Sequence, residues 1–184
     1  MALLGGFMVL ASVLYVVSDV IEVIQGGFSD GQLWLTLLAE AAIPIFVMGL
    51  AVWQRPHLGR LGVLAAAGYA YSYVVFTGTV VYALVNGTKN YESLTDQLGL
   101  VMTVHGGLMV VAGLGLGYAV LRARTLPAWT ALALMAGVVL VAVTQTMPES
   151  TQLAAAGVRA LGFIGMGAAM LRAPRAGPPA RSQT

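Results

Sequence analysis

LTLLAEAAIPIFVMGLAVWQRPHLGR, residues Leu35–Arg60, contains the pattern from which the architecture of this chain can be inferred. Its first part is almost wholly apolar, and Glu40 is the one charged residue before the break QRPHLGR. A transmembrane helix needs about 20 mainly apolar residues in succession, and Pro, Gly and clustered charges punctuate helices. The stretch therefore predicts a membrane-spanning helix that ends in a short polar connection.

The same pattern fills the rest of the chain. Of the 184 residues, 59% are hydrophobic and only 9% are charged, whereas soluble domains carry about 25% charged residues. We therefore predict an all-α membrane protein, a bundle of six transmembrane helices that occupies residues 1–172. The spans are predicted at about residues 3–25, 32–53, 61–86, 98–121, 128–147 and 152–171.

The distribution of basic residues predicts the orientation of the bundle, because Arg and Lys beside the spans are retained in the cytoplasm. One side of the predicted bundle holds Arg55, Arg60, Arg122, Arg124, Arg172, Arg175 and Arg181, and the other side holds only Lys89. Both termini are therefore predicted to be cytoplasmic, with residues 173–184 as a disordered, basic, Pro-rich tail. The abundance of Arg, Ala, Gly, Val and Leu is typical of a GC-rich bacterial genome, so we expect the inner (plasma) membrane.

Five ionisable residues fall inside the predicted spans: Asp19, Glu22, Glu40, His105 and Arg159. A charged group costs about 3 kcal/mol at the centre of a membrane helix, so such residues usually face the bundle interior and mark function. Given the predicted orientation, all five lie in the outer halves of their helices. Tyr15, Tyr82 and Gln145 accompany them on polar faces. We predict that these faces converge on one acid-containing cavity in the outer half of the bilayer.

The carboxylates Glu40 and Asp19 are the candidates for acid/base chemistry in this cavity. His105, Arg159, Glu22, Tyr15, Tyr82 and Gln145 are the candidates for ligand binding. Several of these residues are equally suited to structural roles. Glu40 and Arg159 are suited to an ion pair that fixes helix register, interfacial water would solvate Asp19 and Glu22, and His105 is suited to hydrogen-bonded packing.

No cofactor and no metal site is predicted. The chain has no Cys, and His105 lacks the His-x-x-x-His or Glu-x-x-His spacing of metal sites in helical bundles. The run Gly113–Gly117, GLGLG, follows no strand and lies in an apolar helix, so it indicates close helix packing rather than nucleotide binding. We expect the lipid bilayer as a partner and no nucleic acid, and the Gly-rich helix faces leave oligomerisation open.

Three stretches carry a resemblance to known proteins: LASVLYVVSDVIE (residues 10–22), LTLLAEAAIPIFVMGLAVWQRPHLGRLGVLAAAGYAYSYV (residues 35–74) and GLGLGYAVLRARTLPAWTALALMAGVVLVAV (residues 113–143). Together they resemble small multi-pass bacterial membrane proteins of domain-of-unknown-function families, most of all at the Arg-x-Arg-x-x-Pro-x-Trp junction. The resemblance implies about six helices and no established activity. The acids within a bundle are also similar in chemistry to those of small integral-membrane terpene cyclases, although the Asp-Asp-x-x-Asp diphosphate motif is missing.

Three functions remain open from the sequence. The first, which we favour, is the binding or movement of a small lipophilic or amphipathic molecule, or of protons. The second is an intramembrane acid/base enzyme, of isomerase or cyclase type, that acts on a lipophilic substrate. The third is an accessory or structural membrane subunit.

Overall fold

The computed structural model describes residues 1–172, and this part of the chain is helical apart from short connections. Six helices follow one another: α1 Ala2–Gln25, α2 Asp30–Trp53, α3 Arg55–Asn86, α4 Tyr91–Ala123, α5 Ala128–Val143 and α6 Glu149–Arg172. Within the described range there is no strand. The prediction of an all-α chain with six helices is confirmed, and the predicted tail over residues 173–184 lies outside the described range.

Five of the helices are long and apolar enough to cross a membrane, and α5 is the exception. With 16 residues and a rise of about 1.5 Å per residue, α5 is roughly 24 Å long, shorter than the ~30 Å hydrocarbon core. The predicted span over residues 128–147 is therefore too long at its end. Pro148 disfavours helical backbone in the residue before it, and the connection over residues 144–148 is not α-helical.

The six helices form a closed ring in chain order. Each helix packs against its neighbours in the sequence, and α6 packs against α1. Short connections make consecutive helices antiparallel, and an even number of helices keeps this alternation where the ring closes. The connections α1–α2, α3–α4 and α5–α6 thus share one end of the ring, named here the cavity end. The other two connections lie at the opposite, closed end.

Glycines bring the backbones of adjacent helices together. A Cβ atom on Gly162 of α6 would lie 2.8 Å from the Leu134 nitrogen of α5, and one on Gly137 would collide with the backbone of Arg159. Gly113 of the GLGLG run packs against Val138, as expected for small residues at a helix interface. These contacts fix the height of Arg159 relative to α5.

A layer of aromatic side chains fills the ring between its middle and its closed end. The ring centroids of Phe46 and Phe163 are 5.1 Å apart, and those of Tyr69 and Phe163 are 5.8 Å apart. Both distances are within the range of favourable aromatic pairs. Fully buried Leu50 and Met166 extend this core, so the ring interior is solid in its closed half.

The helix α4 begins earlier than the sequence predicted. Asn90 caps its first turn by accepting a hydrogen bond from the Ser93 amide at 2.9 Å, and Glu92 is an acidic residue of that turn. A break in helical geometry follows at Leu98 (φ −114°, ψ 17°). The residues before Leu98, which the sequence indicated as a connection, therefore form an additional helical segment at the cavity end.

Candidate functional site

A cavity of about 730 Å³ occupies the ring interior at the cavity end, and residues of all six helices line it. Its walls include the C-terminal half of α1, the N-terminal part of α2 and the C-terminal half of α3. The N-terminal parts of α4 and α6 and the residues after α5 complete the lining. Exposed Glu92, Asp96 and Glu149 lie at its rim, so the cavity opens toward this end.

The cavity collects the acidic residues of the protein. Six of the seven Asp and Glu residues line it, namely Asp19, Glu22, Glu40, Glu92, Asp96 and Glu149. The seventh, Asp30, begins α2 and lies outside the lining. Arg159 is the one basic side chain among the lining residues of the described range. The cavity therefore has a net negative character when its carboxyl groups are ionised.

Three residues from three helices meet at the base of the cavity. Tyr15, Glu40 and Arg159 each lie ten residues from the cavity-end terminus of their helix, which places them about 15 Å below that terminus at 1.5 Å per residue. All three line the cavity, and Tyr73 of α3 joins them. Glu40 and Arg159, for which the sequence predicted similar depths, thus both reach the cavity base.

Arg159 is only 5% exposed, and its environment is aromatic. The guanidinium carbon lies 5.1 Å from the ring centroid of Tyr15 and 5.6 Å from that of Tyr73. Both distances are typical of cation–π contacts. Across residues 1–172, its one hydrogen bond is to the Met109 Sδ atom, at 3.9 Å. The aromatic rings therefore stabilise this buried charge only in part.

Glu40 is 6% exposed, and its Oε2 atom has no hydrogen-bond partner among the described residues. The direct ion pair with Arg159 that the sequence left open is not formed in that part of the chain; the Tyr15 side chain lies near both groups instead. The Tyr73 hydroxyl is buried and equally without a partner. Because buried polar groups are normally hydrogen-bonded, the cavity base retains unused donors and acceptors.

A polar cluster joins α1 to α2 beside the cavity wall. The Gln32 side-chain amide donates to the hydroxyls of Ser18 at 3.1 Å and Thr36 at 2.9 Å. The same amide is 3.4 Å from Glu22 Oε2, so it orients the Glu22 carboxylate. Gln32 was missed by the sequence analysis, although its spacing of four residues to Thr36 and of eight to Glu40 could have indicated it.

Six of the eight predicted site residues line the cavity: Tyr15, Asp19, Glu22, Glu40, Gln145 and Arg159. The other two, His105 and Tyr82, are not among the lining residues. The His105 Nδ1 atom is 2.8 Å from the Val101 carbonyl oxygen of its own helix, and its ring pairs with the half-exposed Tyr71 at 5.7 Å. His105 therefore packs on the outside of the α3–α4 pair.

Tyr82 packs against a small apolar cluster near the cavity end that includes Leu33, Val80 and Leu94. This side chain is thus part of the wall structure rather than of the cavity surface. The cavity faces of the two helices consist of other residues. On α4 they include Met102, Gly106 and Met109, and on α3 they include Phe76 and Thr79.

The described residues contain no group of three or more His, Cys, Asp or Glu side chains arranged to hold a metal ion. The carboxylates are instead spread over the depth of the cavity. The chain matches no protein-family model, no curated protein and no solved structure. The resemblance to domain-of-unknown-function families stays a prediction. The five long apolar helices identify the class, a multi-pass α-helical membrane protein.

Proposed function

We propose that this protein binds a small amphipathic molecule in the cavity and that Glu40 and Arg159 contact its polar part. The observation that supports this most strongly is the combination of deep burial and missing charged partners at these two side chains. Both are about 95% buried and face the cavity base, yet neither has a charged hydrogen-bond partner within residues 1–172. Burying an ion costs several kcal/mol unless a partner compensates it, and ionisable residues kept inside a membrane bundle usually serve function.

The size and lining of the cavity agree with a small-molecule ligand. Its volume of about 730 Å³ falls within the range of roughly 300–1,000 Å³ that is usual for small-molecule sites. Apolar Phe76, Met102 and Met109 line the walls together with the carboxylates. A molecule with one polar end and one apolar end matches this combination.

The proposal includes an orientation, with the cavity open to the outer side of the cell membrane and both termini in the cytoplasm. The closed end carries the basic residues Arg55, Arg60, Arg122, Arg124 and Arg172, whereas the cavity end carries Lys89 and most of the acids. This asymmetry supports the orientation because basic flanks stay in the cytoplasm. A ligand would then enter from the outside.

A second candidate function, an intramembrane acid/base enzyme, is favoured by one specific observation. The Glu40 carboxyl lies beside the Tyr15 side chain and the Arg159 guanidinium at the blind end of the cavity, where little water competes. Such a group can give a proton to, or take one from, a lipophilic substrate. Asp19, nearer the opening on the same helix as Tyr15, would exchange the proton with water.

Ligand-dependent thermal stabilisation tests the binding function. The purified protein, in an uncharged detergent, is heated with phenylpropyl compounds that carry an ammonium, a carboxylate or a hydroxyl group. We expect at least one compound to raise the Tm of the wild type and to have little effect on Glu40→Gln. Asp30→Asn, which changes the one acid outside the cavity, serves as the matched control and should respond like the wild type.

The proposal fails if no compound in a broad amphipathic panel stabilises the wild type, or if Glu40→Gln responds as the wild type does. The enzyme alternative is separated by turnover. A bound compound that is converted by the wild type and bound but unconverted by Glu40→Gln would establish acid/base catalysis. A Glu40→Gln protein that unfolds without ligand, and is rescued by Arg159→Met, would indicate a structural role.

A further inference from the structure

The carboxylates of the cavity are distributed along its whole depth. Glu40 lies at the base, Asp19 lies one turn of α1 (about 6 Å) nearer the opening than Tyr15, and Glu22 lies about 4 Å beyond Asp19. Glu92 and Glu149 follow at the rim. A molecule that enters the cavity therefore passes several carboxyl groups before it reaches Arg159.

Asp19 and Glu22 have no compensating cation at their own depth. In the described part of the chain Arg159 is the one basic lining residue, and it lies deeper, against the rings of Tyr15 and Tyr73. The side-chain amide of Gln32 holds Glu22 but carries no charge. When ionised, these two carboxylates thus present negative charge to the middle of the cavity, with no basic residue of the described range at their own depth.

A second observation, at Glu40, indicates that the cavity binds a polar group. Glu40 is 94% buried, since its exposed fraction is 6%, and it lines the cavity with an Oε2 atom that no described residue contacts by a hydrogen bond. A buried carboxylate oxygen without a donor is costly. A positively charged ligand group in the cavity would compensate it.

We propose, on the basis of the binding function proposed above, that the ligand is an organic cation: an ammonium group on an apolar body. Asp19, Glu22 and Glu40 contact the charged group, and the apolar body packs against Phe76 and Met102 of the cavity wall. A cleft with walls of low dielectric and one sign of charge concentrates counter-ions. The aromatic face of Phe76 adds a surface that attracts cations.

Arg159 does not make the cavity an anion site. An anion that approached it would first meet the carboxylates of Asp19 and Glu22, and two like charges about 4 Å apart repel by roughly 4 kcal/mol at an effective dielectric constant of about 20. The guanidinium also shares its depth with the Glu40 carboxyl group. Arg159 thus orients the base, while the excess negative charge above it selects the ligand.

A pair of compounds with the same shape tests this charge preference. Phenylpropyl trimethylammonium and its uncharged tert-butyl isostere, together with phenylbutanoate as the anion, are titrated into the full-length protein in an uncharged detergent by calorimetry. We expect the cation to bind at least about tenfold more tightly than the isostere, because loss of a desolvated charge partner usually costs more than 1.4 kcal/mol. Phenylbutanoate should bind more weakly than both.

Conservative variants locate the charged group. Asp19→Asn and Glu22→Gln keep the shape of each side chain, and each should lower the affinity for the cation about tenfold while leaving that for the isostere unchanged. Asp30→Asn, the change outside the lining, should leave both affinities as in the wild type. Thermal unfolding of each variant without ligand shows whether that variant is folded. The comparison of the three compounds on the wild type is independent of how the variants fold.

The outcomes separate the two proposals. If none of the three compounds binds and none of the broader amphipathic panel stabilises the protein, the binding function itself is wrong. If the isostere or the anion binds as tightly as the cation, the cavity binds ligands but does not select cations. If the cation binds equally well to wild type, Asp19→Asn and Glu22→Gln, the assignment of these two carboxylates is overturned.

Discussion

Arg159 combines a permanent charge with an environment that supplies rings rather than a carboxylate. The contacts to Tyr15 and Tyr73, at 5.1 and 5.6 Å, are worth about 2 kcal/mol each when desolvated, whereas burying an ion costs several kcal/mol. Folding is thus not favoured by this charge. Its position at the cavity base instead suits a function that requires a fixed positive group next to Glu40.

The variant Arg159→Met tests this view of Arg159. Methionine fills much of the same volume without the charge, so we expect the free energy of unfolding to stay the same or rise, by up to about 3 kcal/mol. Ligand-dependent stabilisation should change at the same time, because Arg159 no longer orients the cavity base. Chemical denaturation in detergent, with and without the ligand, measures both quantities.

A loss of several kcal/mol in Arg159→Met, restored by the additional change Glu40→Gln, would contradict this expectation. It would show that the two residues act as a structural ion pair. The geometry of residues 1–172 argues against that result, because within this range Glu40 Oε2 has no hydrogen-bond partner and the guanidinium bonds to Met109.

The contact between α5 and α6 determines where Arg159 lies. Gly137 of α5 packs directly on the backbone of Arg159, so that a Cβ atom there would collide with main-chain atoms of α6. The change Gly137→Ala should therefore separate the two helices and destabilise the protein by about 1–3 kcal/mol. It should also weaken ligand binding, because Arg159 and the cavity base would shift.

Gly157, also near Arg159 in the sequence, provides the matched control for Gly137. A Cβ atom at this position of α6 meets nothing within 4 Å, and Ala is favoured over Gly inside helices by about 0.5–1 kcal/mol. Gly157→Ala should therefore be neutral or slightly stabilising and should keep ligand binding. Equal destabilisation of both variants in thermal unfolding would contradict the proposed role of the Gly137 contact.

The sequence predicted the depth of the site residues along their helices better than the direction in which their side chains point. Depth along a helix follows from counting residues, and for this reason the sequence placed Glu40 and Arg159 at similar depths, as the structure does. Rotation about the helix axis is not determined by depth. Adjacent residues of a helix differ by about 100°, so Gly106 lines the cavity while His105, at nearly the same height, packs outside.

Two elements could not be predicted because local signals competed with hydropathy. The polar segment before Leu98 is predicted as a connection by composition, but the Asn90 cap makes it helical and brings Tyr91 to the cavity. Conversely, the predicted span continued past Val143 to Met147, whereas these residues form a connection in which the Gln152 side chain donates to the carbonyl oxygens of Gln145 and Met147. Those contacts form only in the folded bundle, so no local sequence pattern predicts them.

The ring as a whole has one open and one closed half, which limits the functions that it can perform. The aromatic layer of Phe46, Tyr69 and Phe163 separates the cavity from the closed end. The exposed rim residues Glu92, Asp96 and Glu149 make the cavity end the side from which a ligand reaches the cavity. Movement of that ligand across the membrane would require this layer to open, so binding or chemistry within the cavity is the simpler function.

The orientation of the ring decides from which side a ligand reaches the cavity, and the absence of Cys from the sequence makes it directly measurable. Single Cys residues can be introduced at exposed Ser150, near the start of α6, and at exposed His57, in the α2–α3 region. If the basic residues hold the closed end in the cytoplasm, a membrane-impermeant maleimide added to intact cells should label Ser150→Cys and not His57→Cys. Permeabilised cells should show labelling of both, which controls for reactivity. The reverse pattern in intact cells would place the acidic cavity on the cytoplasmic side, and the proposed organic cation would then have to come from inside the cell.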